Sequence, residues 1–377
     1  MAPQTEYRGQ VRLYMALELS SKEWRLAFSK GGDQIWQSAI APGDEESLRE
    51  RVAKARVHFG LSEPVEVVSC YEAGRDGFWV HRFLERRLGI VNLVIDAASM
   101  KVERRARRVK NDRADARRLV LDLIRHSRGE KDVWKVVRVP SEQAEDNRHL
   151  HRALDRLKEE RTRHRVRIQS LLALHGCRTA VVKAALTELQ AVRTWEGTPL
   201  PPGVRAEIER EGERLRVVEE QIRAIEAEQR KEMEEGAQRD RRMVALLASV
   251  RGVGMTSAWP LVMELFGWRD FKNRREVCGA VGLGGTPYSS GKTDRDQGIS
   301  KAGNARVRRL MVELAWSWLR YQPDSHLSQW FKRRFAAGGK RQRRAGIVAV
   351  ARRLLIELWH LVAHGVVPQG ALLKKLA

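Results

Sequence analysis

The spacing of apolar positions changes twice along the chain, and each change predicts a different architecture. Between Val11 and Ile40 the runs are short and β-like: Val11–Leu19, Trp24–Ser29 and Gln34–Ile40, separated by Ser-Ser-Lys and Gly-Gly-Asp turns. That pattern predicts an antiparallel three-stranded meander. Glu45–Gly60 then reads as an amphipathic helix, Val65–Tyr71 as a buried strand, Gly77–Leu88 as a helix and Val91–Ile95 as another buried strand. Strands alternating with helices after a meander predict a mixed sheet with helices packed on it.

From Glu142 to Leu174, and again from Val204 to about Leu247, the chain turns charged and helical. Leu150, Leu154, Leu157, Ile168, Leu171 and Leu172 form one apolar stripe, and Ile208, Leu215, Val218, Ile222 and Ile225 recur at heptad-like spacing in the other. The stretch Thr198–Gly203 breaks them. An intramolecular antiparallel hairpin and a coiled coil between protomers are both open readings. His149, His151, His164 and His175 lack metal-ligand spacing and read as surface or polar-contact residues.

A third region begins near Leu246. Residues 247–258 have helix, Gly-x-Gly turn, helix character, as in helix-hairpin-helix units whose turn amides contact phosphates. Trp259–Leu265 and Arg274–Val281 are apolar enough for core helices. Between Gly282 and Thr293 lies a glycine-rich stretch expected to be a flexible loop presenting Ser289 and Ser290. An amphipathic helix follows, with Val307, Leu310, Met311, Leu314 and Trp318 inward. In the tail, Trp330, Phe331 and Phe335 stand beside Lys332, Arg333 and Arg334, ahead of an apolar helix from Ile347 to Leu361. Aromatics interleaved with cations suit stacking on unpaired bases; a core stripe with a solvated basic face is the competing reading. The expected division is 1–135, 136–240 and 241–377.

Charge narrows the partner class. The 377 residues carry a formal net charge of +23, with concentrations at Arg104–Arg118, Lys332–Arg334 and Lys340–Arg344. Such an excess points to nucleic acid. The polar Met1–Gln10 lacks an apolar core segment, and no apolar run approaches the roughly 20 residues of a membrane span, so a soluble, cytoplasmic, nucleoid-associated protein is expected. Cys70, Cys177 and Cys278 are scattered without Cys-x-x-Cys spacing. They indicate neither a disulfide framework nor zinc, and read as inert buried thiols.

Against this basic background a few carboxylates stand out. Asp112 and Asp115 open a helix inside a run of arginines, three residues apart and so on one helical face. Glu18 lies near the end of the first strand, and Glu72 directly follows Val67–Tyr71. A carboxylate in an apolar β run is costly unless paired or metal-bound. Together the four favour a site of hard oxygen ligands for Mg2+ or Mn2+; solvated, salt-bridged side chains are the alternative. The stretch around Ser289, Ser290 and Lys292 suits a nucleophile or a bound phosphate. It is not a Walker A loop, because the required glycine position holds Thr286.

Three features in this order, the strand-one acid, Glu72-Ala73-Gly74 after a buried strand and Lys110-Asn111-Asp112-Arg113-Ala114-Asp115-Ala116, resemble the DEDD domain of the IS110/IS1111 transposases. Val281-Gly282-Leu283, Ser289-Ser290-Gly291-Lys292 and Ile299-Ser300-Lys301-Ala302-Gly303-Asn304-Ala305-Arg306 resemble that family's C-terminal domain. One departure is that the family usually begins its tetrad with Asp, where this chain has Glu18. The resemblance implies an α/β plus α architecture: an RNase H-like (RuvC-like) mixed sheet, a long helical coiled-coil hairpin and a mainly helical C-terminal domain. It implies a recombinase in which Glu18, Glu72, Asp112 and Asp115 hold Mg2+, and Ser290, or Ser289, forms a covalent link to DNA.

Expected partners are donor and target double-stranded DNA, an element-encoded non-coding guide RNA, and further copies of the chain as a dimer or tetramer, with the site assembled from two domains. Candidate nucleic-acid contacts are Arg104, Arg105, Arg107, Arg108, Lys110, Arg113, Lys292, Lys301, Arg306, Lys340 and Arg341. A metal-dependent nuclease or junction resolvase using water, and a non-catalytic binding scaffold, are the rival expectations.

Overall fold

The structure, a computed structural model, describes residues 11–62, 65–100, 112–130, 132–177, 182–290 and 293–374. The chain divides into two compact units, Met1–Val139 and Pro140–Ala377.

In the first unit, β1 (Arg12–Leu19), β2 (Trp24–Ser29) and β3 (Trp36–Ile40) form the expected meander. They are followed by α1 (Glu45–His58), β4 (Glu66–Glu72), α2 (Trp79–Leu88), β5 (Val91–Ile95) and α3 (Asp112–Ser127). The sheet order is β3-β2-β1-β4-β5, antiparallel from β1 through β3 and parallel from β1 through β5. Because side chains alternate across a strand, central β1 faces two cores. Leu13, Met15 and Leu17 join Trp24, Leu26, Phe28, Val67 and Tyr71 against Leu48 and Val52 of α1 and Val80 and Leu84 of α2. The opposite face offers Ala16, Ala27, Val68, Cys70 and Ile95 to Ala116, Leu119, Val120 and Leu123 of α3. Small residues on that face let α3 lie close: the Cys70 thiol reaches the Leu119 carbonyl at 3.8 Å.

The second unit is mainly helical. After α4 (Glu142–Asp146), the long α5 (His149–Leu174), the short α6 (Val182–Thr187) and the longer α7 (Pro202–Glu235) follow. α5 and α7 run antiparallel, pairing Lys158 with Glu226, Arg165 with Glu219, and His164 with Glu211. Leu154, Ile168 and Leu172 fill the seam against Ile208, Leu215, Val218 and Ile222. The second charged segment does not run unbroken to Leu247: α7 ends at Glu235, capped by Gly236, and α8 (Gln238–Ser249) begins anew.

A turn containing Gly252 leads into α9 (Met255–Leu261), which continues as a π turn over Val262–Phe266. Then come α10 (Arg274–Val281), a hairpin of β6 (Gly285–Ser290) and β7 (Thr293–Ile299), α11 (Ala305–Tyr321), α12 (His326–Phe335) and α13 (Lys340–His364). Val307, Met311, Leu314 and Trp318 of α11 pack with Val350, Leu354 and Leu358 of α13 in the largest core. No helix among the described residues is long and apolar enough to cross a membrane.

Candidate active site

Strand parity and helix period together decide where the carboxylates go. Parallel pairing of β1 with β4 sets Ala16 opposite Cys70 and Leu17 opposite Tyr71. The same register carried one residue on brings Glu18 beside Glu72. Each lies two residues beyond a small side chain of the α3 face, Ala16 or Cys70, and so shares that face. On α3, Asp112 precedes Ala116 by four residues and Asp115 precedes Leu119 by four, so both positions extend the buried stripe by one turn.

α3 runs antiparallel to β1. Its end is held near the β2–β3 turn by Arg128 donating to the Gly31 carbonyl, and its start by Arg113 and Gln37, which bond reciprocally at 2.7 and 3.0 Å. The first turn of α3 therefore overhangs the C-terminal ends of β1 and β4.

The result is one cleft of about 660 Å³, lined by Glu18, Ser20, Glu72, Asp115, Arg75, Asp76 and Arg118 among others. Three of the four expected acids thus share a cleft; the fourth position, Asp112, sits one turn earlier on the same helix, and its side chain lies outside the described residues. Among the described residues no three carboxylate, histidine or cysteine side chains are gathered closely enough to hold a metal ion. The donor chemistry of the cleft nevertheless fits a hard divalent cation, with Glu18, Glu72 and Asp115 having to turn toward one another to ligate it. Asp76, Arg75 and Arg118 were not singled out from the sequence. Asp76 follows the Glu-Ala-Gly turn by two residues, and Arg118 falls one turn beyond Ala114, where it also pairs with Asp122 at 3.7 Å.

The serines occupy a strand rather than a flexible glycine-rich loop. Ser289 pairs with Asp294 and Ser290 with Thr293, at the far end of β6 from Gly285. The hairpin lacks an apolar face that would have revealed its period of two, which is why the stretch reads as a loop. Its root is firmly tied: Ser300 N–H donates to Gly284 O at 2.9 Å, Lys301 N–H to Gly282 O at 3.0 Å, and Asn304 N–H to Ala280 O at 2.8 Å. Gly282 (φ +68°) and Gly303 (φ +102°) allow this closeness, since a Cβ on either would meet backbone within 2.6 Å.

Beneath this root sits a buried carboxylate, Glu264, that no motif in the sequence marks. It accepts from His151 Nε2 at 2.9 Å, from Arg152 Nε and Nη2 at 2.6 and 2.8 Å, and from Asn304 Nδ2 at 2.9 Å. Burial alone would raise its pKa, but these donors outweigh it and hold the carboxyl far below the usual range. Asn304 also caps α11, accepting from Arg306 and Val307 N–H. The network so joins α5, the π turn and the exit of the serine hairpin.

The candidate nucleic-acid contacts are dispersed. Arg104, Arg105, Arg107, Arg108, Lys110 and Lys292 lie outside the described residues. Arg113 is exposed and bonded to Gln37; Lys301 is exposed with a left-handed φ of 57°; Lys340 and Arg341 are exposed at the start of α13. Arg306 is half-buried and pairs with Asp155. His151, read as a surface or polar-contact residue, is a buried polar contact. Of the thiols, Cys70 and Cys278 are buried, whereas Cys177 is only partly so.

Residues 244–329, which span the π turn and the serine hairpin, match the family described as Transposase IS116/IS110/IS902 family. The transposase y4rJ of Sinorhizobium fredii (strain NGR234) is 38% identical over 378 residues, covering 96% of this chain and 94% of that protein. The transposase for insertion sequence element IS1328 of Yersinia enterocolitica is 28% identical, covering 58% of this chain and 63% of the relative. The transposase for insertion sequence element IS1111A of Coxiella burnetii is 26% identical, covering 68% and 67%. With similarity to a transposase running along nearly its whole length and the family's own pattern across its serine hairpin, the chain belongs to the IS110/IS1111 family of insertion-sequence transposases.

Proposed function

We propose that the protein is a DNA recombinase that breaks and rejoins strands through a serine–DNA phosphodiester, with the acid cleft of a RuvC-like first unit handling the scissile phosphate. The observation that carries this reading is the gathering of Glu18, Glu72 and Asp115, with the position of Asp112, over the ends of two parallel strands. Carboxylates with neighbouring Arg75 and Arg118 form a setting for a cation-bridged phosphate. Mg2+ bound by these acids would neutralise phosphate charge and orient the group for displacement.

The chain's own step is nucleophilic. Ser290 Oγ attacks phosphorus, an Oγ–P bond forms as a P–O bond of the DNA breaks, the serine proton passes to solvent, and the departing DNA oxygen takes up a proton. One phosphodiester replaces another, so bond energy is conserved and the reverse attack by a different strand's hydroxyl completes exchange without an external energy source. Lys292, two residues beyond Ser290, supplies positive charge for the transition state. An element-encoded RNA that pairs with donor and target DNA, and a dimeric or tetrameric assembly, belong to the same proposal; the net charge of +23 is compatible with both nucleic acids.

The test is to incubate protein, element RNA, donor and target DNA with Mg2+ and resolve the products on a denaturing gel. A protein–DNA adduct that survives in Ser289→Ala and vanishes in Ser290→Ala is expected. Cleavage without any adduct would assign the protein to hydrolysis by water instead.

A further inference from the structure

A second groove, of about 710 Å³, lies within the second unit between α10, α12 and α13. Arg274, Arg275, Arg352 and Arg353 line it with His326 and Trp330, and Glu357 is its one carboxylate among the described residues. With histidine neutral, four positive charges against one negative leave +3. All four arginines are exposed. Glu357 is half-buried; burial raises its carboxyl pKa, partly offset by Arg353.

Two features make this more than a solvated basic face. The Arg353 guanidinium lies over the Trp330 ring at 3.9 Å from its centroid, and Phe335 meets the same ring edge-on at 5.4 Å. A guanidinium held against an indole is a preformed cationic stacking surface, the kind that receives unpaired bases. The second feature is place. Arg352 Nη1 comes within 3.6 Å of where a Cβ on Gly285 would stand, at the root of β6, while the serines sit at the other end of that strand. At ~3.3 Å per residue the strand carries the serines roughly 17 Å from the groove.

We propose that this groove binds a single-stranded segment of nucleic acid, its phosphates on Arg274, Arg275 and Arg352 and an unstacked base on the Arg353–Trp330 pair, next to the serine hairpin. The inference deepens the recombinase reading and rests on it only for the identity of the strand; the chemistry recognised, a phosphodiester backbone with an unpaired base, is common to RNA and to melted DNA.

Binding by the full-length protein is measured for matched single-stranded RNA, single-stranded DNA and duplex DNA, without cleavage. Removing two phosphate contacts in Arg274→Gln/Arg275→Gln should lower the single-strand salt slope by about 1.4, from ~0.7 per contact, and affinity at 0.1 M salt by roughly 25-fold. The control Arg210→Gln/Arg216→Gln, at exposed arginines paired along α7, should change affinity less than about 2-fold. A loss confined to the RNA or to the DNA strand identifies the source. In the wild-type protein, a 5-iodouracil oligonucleotide should photocrosslink to the peptide containing Trp330.

The proposal is overturned if the control loses as much as the groove variant, if only duplex binding suffers, if polyglutamate displaces the strand as well per charge as another oligonucleotide does, or if crosslinks avoid α12 altogether. Because none of these readouts requires strand cleavage, loss of the serine chemistry and loss of the groove are separately visible.

Discussion

Replacing Glu264 by Gln keeps the side chain's shape and removes its charge, which makes it a clean probe of the network under the serine hairpin. Oε1 accepts from His151 and Arg152 Nε, and Oε2 from Arg152 Nη2 and Asn304. Whichever oxygen becomes the amide NH2, it confronts an Arg152 N–H. Each hydrogen bond between charged groups contributes about 1.5–3 kcal/mol, and breaking a buried pair from one side costs about 3–5 kcal/mol. Arg152 is 36% exposed and can turn partly to water, so a loss of about 3 kcal/mol is expected.

Urea unfolding supplies the total, and hydrogen exchange should show it in α5, α11 and the Ser300–Asn304 segment. The pH sign follows from the depressed carboxyl. Its stabilisation is fully present above the unfolded value of about 4.3 and is lost as pH falls toward the folded value, so the gap between wild type and Glu264→Gln should narrow below about pH 4. A loss under ~1 kcal/mol, or a gap that stays constant on acidification, would show that the charge of Glu264 does not hold this network together.

Other outcomes follow from the same geometry. Glu18→Gln, Glu72→Gln and Asp115→Asn should each slow strand cleavage by roughly 100-fold or more, since a metal contact to the transition state is worth several kcal/mol. Mn2+ binding followed by electron paramagnetic resonance should weaken in parallel while the thermal midpoint holds. Gly282→Ala should cost at least ~2 kcal/mol, combining a left-handed φ with a Cβ 2.1 Å from the Ala302 carbonyl; thermal unfolding measures it. A thiol reagent at pH 8 should modify Cys177 before unfolding and Cys70 and Cys278 only on unfolding, because burial raises the pKa of all three thiols but closes off only the latter two.

How far the sequence revealed these features depended on whether a local pattern carried the long-range consequence. The meander, α1, β4 and β5 were legible because apolar runs and turn residues agreed. The pairing of β1 with β4, which brings Glu18 beside Glu72, rests on non-local register that no window of residues contains. Arg75 and Asp76 enter the cleft through the turn after β4, whose course the motif alone does not give.

Glu264 is the instructive omission. It stands in the apolar run Val262-Met263-Glu264-Leu265-Phe266, where a carboxylate is as costly to bury without partners as Glu18 is in its strand. Its partners, though, come from 112 and 40 residues away. The serine hairpin was obscured for the opposite reason: glycines and hydroxyls suggest a loop, while the strand pairing is supplied by backbone bonds.

A covalent serine intermediate leaves its record in the stereochemistry at phosphorus. Donor DNA carrying a single chiral phosphorothioate at the exchanged bond would be recombined and the configuration of the product determined. Two successive in-line displacements, first by Ser290 and then by the incoming strand, predict retention. Inversion would show a single displacement and exclude a serine–DNA intermediate.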